Sequence, residues 1–588
     1  MKFIEKNYEL VVIGGGFSGM CAAIAAARHG VKTALVHNRP VLGGNGSSEI
    51  RMHVCGADRH AARANARETG ILEELMLLNK SRNDKDNYSW PIFDMCMWEK
   101  THFQENLDLY LNTNFDEVTT VGDKIEKIKA VNNNNETVYT FLADYFVDAT
   151  GDGMLGALAG AEFMYGREDK ATFGEQDGLD KADNYTMGNS IMFYAVDTGS
   201  PVKFVKPDWA YTYTEEDMKN RPHDNISSGY WWIELGGKTL HTIYDAEELR
   251  DELNKTIYGI WDHIKNGGDH GAENYKLEWV GTLPGKRESR RLLGDYVLKE
   301  EDLLSANPFS DAVAYGGWDI DCHVIEGFLS TESQPAKNIG LEKVYPIPYR
   351  SLYSKNISNL FLGGRAISAS HLAFASTRVM GTCAVCGQAV GTAVAIAKKY
   401  KTDPRGVNEH IAQLQQELLK DDCFIPNFKN EDKNDFAKST KVFATSEQKG
   451  FEAVNVINGE QRTIDENSNL YMSNGIGSNG ETLTLEFEKE VNLKQLHIKF
   501  DSNLSKEIEI SINPWVTTRQ DKTLPTTLVK DYSVTLFNKG EKVKTLDFCD
   551  NIYRFNKIDF DNKCDKIEIN CKSTYGDENI RIFEIRAY

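Results

Sequence analysis

The chain has 588 residues, more than one ordinary domain holds, and a hydrophobic share of 41% that can fill two or three cores. Its net charge of −20 makes nucleic acid and anionic membranes poor partners, since a phosphate surface demands a basic footprint. The ten cysteines are scattered, as in a reducing compartment, and no segment reads as long and apolar enough to cross a bilayer.

The opening, "MKFIEKNYELVVIGGG", runs directly into a strand without the basic and apolar regions of a signal peptide, so a chain starting near Met1 in the cytoplasm is expected. Leu10 to Ile13 form the apolar run of a buried parallel strand. "GGGFSG" follows, with Gly14, Gly16 and Gly19 at GxGxxG spacing around Phe17 and Ser18. "MCAAIAAARHG" then reads as a helix closed by Gly30, and "KTALVH" as a second strand. In that context the motif is a dinucleotide signature. Gly14 makes the tight turn, Gly16 lets the backbone approach a pyrophosphate, and Gly19 lets helix and strand pack. The helix N-terminus offers N–H groups to the phosphates. The second strand ends in Val36, His37, Asn38 and Arg39 rather than in an acid for the adenosine ribose. His37 or Asn38 is left to bond a ribose hydroxyl, and Arg39 to stack near the adenine.

"LGGNGSSEIRMHVCGA" comes next, with Gly43, Gly44 and Gly46 around Asn45 and Ser47 behind them. Glu49, Arg51 and His53 then alternate with Ile50, Met52 and Val54, which predicts a strand with one polar face. That face is either an active-site wall, with Arg51 and His53 as candidate catalytic residues, or an internal ion network against another domain. "YFVDATGDG" predicts a buried strand ending at Thr150, Gly151 and Asp152. From about Glu162 to Tyr345 the chain turns aromatic and polar, the expected place of a substrate domain, with Tyr230, Trp231 and Trp232 together.

"GKRESRRLLGDY" concentrates Lys286, Arg287, Arg290 and Arg291. Arg287 and Arg291 share a face if the segment is helical, and either bind an anion or pair with Glu288 and Asp295. "DIDCH" puts Asp319, Asp321 and His323 on one face, and an Asp that orients a His suits a general base. The stretch "NLFLGGRAISASHLAFASTRVMGTCAVCGQAVGTA" gives a strand, then Gly364 and Arg365, a loop with His371 and Arg378, and a helix through Gly387 and Gly391. Cys383 and Cys386 form a CxxC, read as two small core-facing residues in preference to a redox or metal pair; no metal ligands are assigned. From Lys438 to Tyr588 short alternating strands, "ETLTLEFEKEV", "KQLHIKFDS", "KEIEISIN", "DYSVTLFN", "DKIEINCKS" and "IRIFEIRAY", predict an antiparallel sandwich.

Taken together, the GxGxxG, "RPVLGGN", "DATGDG" and "NLFLGGR" motifs resemble the FAD-dependent oxidoreductases of the glutathione-reductase-like flavoprotein superfamily. More narrowly, they resemble a large bacterial family of such enzymes that carries the "LGGN" and "GKRESRR" stretches. The resemblance implies FAD, bound by Gly14, Gly16, Phe17, Ser18, Gly19, His37, Asn38, Arg39, Gly43, Gly44, Asn45, Ser47, Thr150, Gly151, Asp152, Gly364, Arg365 and Arg378. It places Asp152 near the ribityl–pyrophosphate region and Arg365 beside the flavin. It aims the helix after Arg378 at the pyrimidine edge, where a dipole or cation stabilises reduced flavin. His53 has the further option of a covalent flavin link. The tail from Lys438 resembles discoidin-like, galactose-binding-like jelly rolls; glycan or calcium binding, with Trp515 as an exposed aromatic, stands beside packing on the enzyme or oligomerisation.

The expected fold is α/β: a Rossmann-like FAD-binding domain in two parts, 1–161 and 346–425, an inserted α+β substrate domain, 162–345, and an all-β jelly-roll sandwich, 438–588. The expected activity is hydride transfer to flavin N5 from a hydroxyl or amine of a small, carbohydrate-like molecule. His371 or His323 is the base, and Arg287 faces an anionic group. Alternatives are a redox-neutral lyase or isomerase on a glycoside and a non-catalytic flavin-holding carbohydrate-binding protein. A homo-oligomer is left open. The lack of a second GxGxxG and of a dithiol beside the first helix argues against a pyridine-nucleotide disulfide reductase.

Overall fold

The computed structural model describes residues 1–83, 89–464 and 467–588. A parallel sheet runs in the order Leu107–Tyr110, Thr33–Val36, Lys2–Ile13, Thr137–Asp148, Leu360–Leu362. The strand Thr137–Asp148 serves two partners on its outer side. Its first half pairs antiparallel with Lys124–Asn132, which continues the sheet to Thr113–Val121. Its last residues, Phe146 to Asp148, take Leu360 to Leu362 in parallel. A strand from far along the chain therefore completes the sheet, and Leu10, Val11 and Val12 at its centre are fully buried.

The helices Phe17–Arg28 and Met380–Tyr400 cross in direct backbone contact. A Cβ on Gly387 would fall 2.1 Å from the Ser18 carbonyl oxygen, and one on Gly391 2.2 Å from that of Ala22. The helix Met380–Tyr400 corrects the expectation that no segment is apolar enough to span a bilayer. An 18-residue window of this 21-residue helix has a mean hydropathy of 1.5, but 89% of that window is buried inside the fold. Its apolarity is that of a helix covered on all sides by protein.

The middle of the chain builds two three-stranded sheets: Ser228–Gly229, Phe193–Asp197 and Tyr275–Val280, and Glu234–Leu235, Asn189–Ser190 and Gly285–Lys286. They enclose, with the amphipathic helix Ala246–Asn266, a core that includes Phe193, Tyr230, Trp232, Trp261 and Phe328. The C-terminal part is antiparallel β, ordered Tyr471–Met472, Arg581–Ala587, Glu481–Phe500, Phe555–Thr574, Val529–Asn538, Glu541–Phe548, around its own core. Two predicted strands merge there into Glu481–Phe500, interrupted by register shifts after Glu486 and Leu493.

Three local expectations fail. Residues 49–54 are not a strand: after the 3₁₀ turn Gly44–Gly46 the chain turns again, the Arg51 amide bonds the Ser47 carbonyl, and Arg51 stands at φ 60°. The alternating side chains find local partners instead of a ladder, Arg39 for Glu49 and the Ser48 carbonyl for Arg51. Residues 287–290 are not helical, so Arg287 and Arg291 do not share a helix face. "KEIEISIN" alternates but joins no sheet. Ile508, Ile510 and Ile512 enter the core of the nucleotide-binding part, while Glu507 and Glu509 face His60. Its partner is a packing surface rather than a strand.

Buried charges seal the same junction. Arg554 Nε lies 3.2 Å from Asp422 Oδ2 and 3.8 Å from Glu73 Oε2. Lys499 Nζ donates to the Leu419 carbonyl at 2.7 Å, and Arg67 Nη2 bonds both Glu73 and the Ser502 carbonyl at 2.9 Å. The β-rich tail packs on the enzyme, one of the four roles expected for it.

Candidate functional site

A cleft of about 700 Å³ opens where Lys2–Ile13, Thr33–Val36 and Thr137–Asp148 end, the C-terminal edge at which parallel sheets bind ligands. Of the residues expected to hold a dinucleotide, all but Gly19 and Ser47 line it. Gly19 supports it from behind, since a Cβ there would fall 1.9 Å from the Gly14 carbonyl oxygen. The Ser47 hydroxyl is buried and donates to the Gly44 carbonyl at 2.7 Å. Gly14 stands at φ 109°, with the Ala149 carbonyl oxygen 2.1 Å from where a Cβ would be. Gly16 caps the helix Phe17–Arg28 without a side-chain bond, and a Cβ on it would meet nothing within 4 Å. Ser18 Oγ accepts from the Gly364 amide at 2.7 Å, tying the late loop to the first helix.

His37 closes the first strand–helix turn. The Gly15 amide donates to its Nδ1 at 2.9 Å and its Nε2 donates to the Val41 carbonyl at 3.0 Å, so both ring nitrogens are used. His37 therefore has no nitrogen left for a ribose hydroxyl; Asn38 and Arg39 line the cleft beside it, Arg39 paired with Glu49 at 3.4 Å. Burial, helped by Arg39, pushes the His37 imidazole down to about 4.

The opposite wall is cationic. Lys286 Nζ lies 2.6 Å from Asp152 Oδ2, and Arg365 donates to the Lys286 and Gly151 carbonyls at 2.7 and 3.2 Å. Against the upward push of burial, Lys286 and Arg365 hold the Asp152 carboxyl below its usual range. Three buried atoms of cleft-lining residues, Asp152 Oδ1, Arg365 Nε and Arg378 Nε, have no hydrogen-bond partner among the described residues. Such atoms call for a polar ligand.

Behind Arg378 runs a line of alternating charge. Arg378 Nη2 donates to Asp321 Oδ2 at 2.9 Å, and that oxygen lies 3.3 Å from His323 Nε2. His323 Nδ1 meets Glu234 Oε2 at 2.6 Å, and Arg287 Nη1 lies 3.3 Å from the same oxygen. The predicted strand Ile320–His323 is what sets Asp321 and His323 on one face. Burial would raise the Asp321 carboxyl, but His323 and Arg378 hold it well below its usual range. His371 belongs to a separate network: its Nδ1 is 2.8 Å from Glu288 Oε1, which also takes Arg291 Nη1 at 2.6 Å. Glu288 outweighs burial and pushes His371 up to about 10.

His371, His323, Arg287, Arg51 and His53 are not among the cleft-lining residues. The Arg51 guanidinium covers the Trp279 ring at 4.2 Å. His53, which burial pushes down to about 3, packs on His60 with centroids 4.8 Å apart. Trp515 is exposed, 5.5 Å from His60 and under the Arg519 guanidinium at 3.5 Å. Cleft residues missed in the sequence include Thr113, Asn114, Phe115, Phe163, Tyr244 and Met380. Asn112 at positive φ, directly before the strand Thr113–Val121, is the one local signal that marks a turn there. Also unforeseen are groups of side chains with metal-ligand geometry, among them Glu215, His223, His263 and His270.

A family model described as FAD dependent oxidoreductase matches residues 9–418. The chain belongs to that family. This flavoenzyme is 26% identical over 296 residues to the tRNA uridine 5-carboxymethylaminomethyl modification enzyme MnmG of Sulfurihydrogenibium sp. (strain YO3AOP1). That match takes in 43% of this chain and spans 44% of the relative's length. Among solved structures, the family 32 CBM from C. perfringens NanJ in complex with galactose is 15% identical, with 26% of this chain and 96% of that chain covered and a TM-score of 0.19. A Streptococcus pneumoniae fucose binding module, SpX-3, is 11% identical over 26% of this chain and 97% of that chain, with a TM-score of 0.21.

The cleft suits FAD. The glycine cradle leaves room at Gly16, the helix N-terminus faces the space, and the orphaned atoms of Asp152, Arg365 and Arg378 supply one acceptor and two donors. Flavin retention by this enzyme is expected to be acid-sensitive through His37. Its folded value of about 4 lies below the ordinary 6.5, so the unfolded chain binds a proton that the folded chain refuses between them. This contribution, about 3 kcal/mol, is complete above pH 6.5 and is lost as pH falls through that window. Flavin fluorescence followed on acidification is expected to rise in that window, and His37→Asn to flatten the rise.

Proposed function

We propose that this flavoenzyme oxidises a hydroxyl or amine of a small polar molecule. Bound FAD supplies the hydride-accepting centre. The observation that carries the reading is the ion line that begins at the cleft wall with Arg378 and passes through Asp321 to His323. Arg378 sets a fixed positive charge on the cleft, suited to a developing anion. Asp321 stays ionised between Arg378 and His323 and orients both, and His323 takes the substrate proton at Nε2 in place of its contact with Asp321, once substrate reaches past Arg378. His371 is the weaker candidate for the base, because its network of Glu288 and Arg291 has no link to Arg378 at the cleft wall. The net charge of −20 favours a small substrate over a nucleic acid, and a carbohydrate or polyol is the class to try first.

Anaerobic bleaching of the flavin by a panel of sugars, polyols, amines and hydroxy acids tests this. At least one member is expected to reduce the wild-type enzyme, and His323→Asn to slow that reduction about 10²–10⁴-fold with flavin still bound. Undiminished reduction in the variant would remove His323 from the chemistry, and turnover of a tRNA transcript in place of every small molecule would sink the substrate class.

A further inference from the structure

The middle of the chain carries four ligand-type side chains that converge at one edge, and none of them lines the cleft. Glu215 Oε1 lies 2.9 Å from His263 Nε2, 3.3 Å from His270 Nε2 and 3.5 Å from His223 Nε2. One ligand atom from each of the four residues falls within 4.8 Å of every other. In a tetrahedral zinc site with bonds of about 2.0–2.1 Å, ligand atoms stand about 3.3 Å apart. The three spacings to Glu215 straddle that value.

The surroundings point the same way. His223 Nδ1 sits 2.6 Å from the Arg221 carbonyl, an acceptor only, so that nitrogen carries the proton and Nε2 is the bare lone pair. Arg221 is itself buried and bonded to the carbonyls of Gly327, Ser330 and Ser333, which anchors the loop that presents His223. His263 lies in the last turn of Ala246–Asn266. The glycine-rich loop that follows, with Gly268 at φ 88° and Gly271 at φ 67°, folds His270 back onto that helix end. Asp269 Oδ1 lies 2.7 Å from His270 Nδ1, a carboxylate beside the ring though not in hydrogen-bond geometry with it. As a plain ion cluster the arrangement is poor: one carboxylate oxygen would serve three imidazoles whose ring centres are 4.9–5.5 Å apart, and charging all three sets like charges together.

We propose that Glu215, His223, His263 and His270 bind one Zn²⁺ ion that pins the 215–223 loop to the end of Ala246–Asn266. Three neutral imidazoles and a carboxylate suit zinc, and a closed set of four protein ligands is that of a structural site. The full chain, purified without chelator, is expected to contain zinc in equal amount to the protein by elemental analysis. Stripping with a chelator should lower the thermal midpoint, and added ZnSO₄ should restore it. His263→Ala should lose the zinc while keeping its flavin. Should that variant not fold, Glu215→Gln, on a side chain 60% exposed, should bind zinc roughly tenfold or more weakly in competition with a chelating dye. The proposal is overturned if the stripped wild-type chain takes up no zinc from ZnSO₄, or if it takes up Ni²⁺ or Cu²⁺ but no Zn²⁺. Zinc binding that Glu215→Gln and His263→Ala leave unchanged overturns it equally.

Discussion

Gly16→Val gives a folded, colourless protein. Gly16 has φ −68° and ψ 176°, a backbone conformation open to any residue, and a Cβ there meets nothing within 4 Å among the described residues. The fold therefore has no reason to resist the change. Gly16 nevertheless caps the helix whose N-terminus faces the cleft, where a pyrophosphate must approach the backbone. A branched side chain fills that approach, and FAD affinity should fall at least about 100-fold, close to 3 kcal/mol. The check is visible absorbance per chain alongside circular dichroism. Gly14→Ala is the contrasting case: at φ 109°, with a carbonyl oxygen 2.1 Å from the new carbon, it should fail to fold at all. A Gly16→Val protein that retains stoichiometric flavin would move the cofactor out of this cleft.

Removal of the β-rich tail is expected to cost the enzyme its solubility, beyond any loss of activity. Cutting the chain after Phe428 takes away Arg554, the partner of buried Asp422 and Glu73, and with it Ile508, Ile510, Ile512 and Leu524, which belong to the nucleotide-binding core. Breaking one buried ion pair costs about 3–5 kcal/mol, and a domain's whole stability is about 5–15 kcal/mol. An orphaned Asp422, a Glu73 left to Arg67 alone and an uncovered apolar face together approach it. In the intact chain, Arg554→Ala alone should lower stability by about 3–5 kcal/mol, read as the urea midpoint of flavin release. A soluble, yellow, cooperatively unfolding truncated chain would show that the junction contributes little.

The parts legible in the sequence are those whose reasons are local. The GxGxxG turn, the buried strand before it and the Gly387/Gly391 contact each follow from which residues lack a side chain. The alternation in "DIDCH" correctly sets Asp321 beside His323. The parts not legible depend on distant partners. Nothing near His323 announces Glu234, nothing near Arg378 announces Asp321, and Glu507 reaches His60 across the junction. Alternation misleads at residues 49–54 and 506–513 because period-two burial arises wherever an extended chain lies on a surface, with or without a neighbouring strand. The Glu215/His223/His263/His270 group escapes because its spacings match no familiar ligand motif, and only the fold of the loops brings the rings together.

The late strand Leu360–Leu362 also sets a timetable for synthesis. A ribosome adds about 5–20 residues each second, so on the order of 10–40 s passes between Asp148 and the strand that must lie beside it. Throughout that interval the nascent sheet has an open edge, and the helix Phe17–Arg28 waits for Met380–Tyr400 to cover its exposed face. The cofactor cleft, walled by residues from both ends of this span, is assembled only once the middle of the protein has left the ribosome. A cell making this enzyme must therefore shelter a half-built nucleotide fold for far longer than the microseconds a hairpin needs to close.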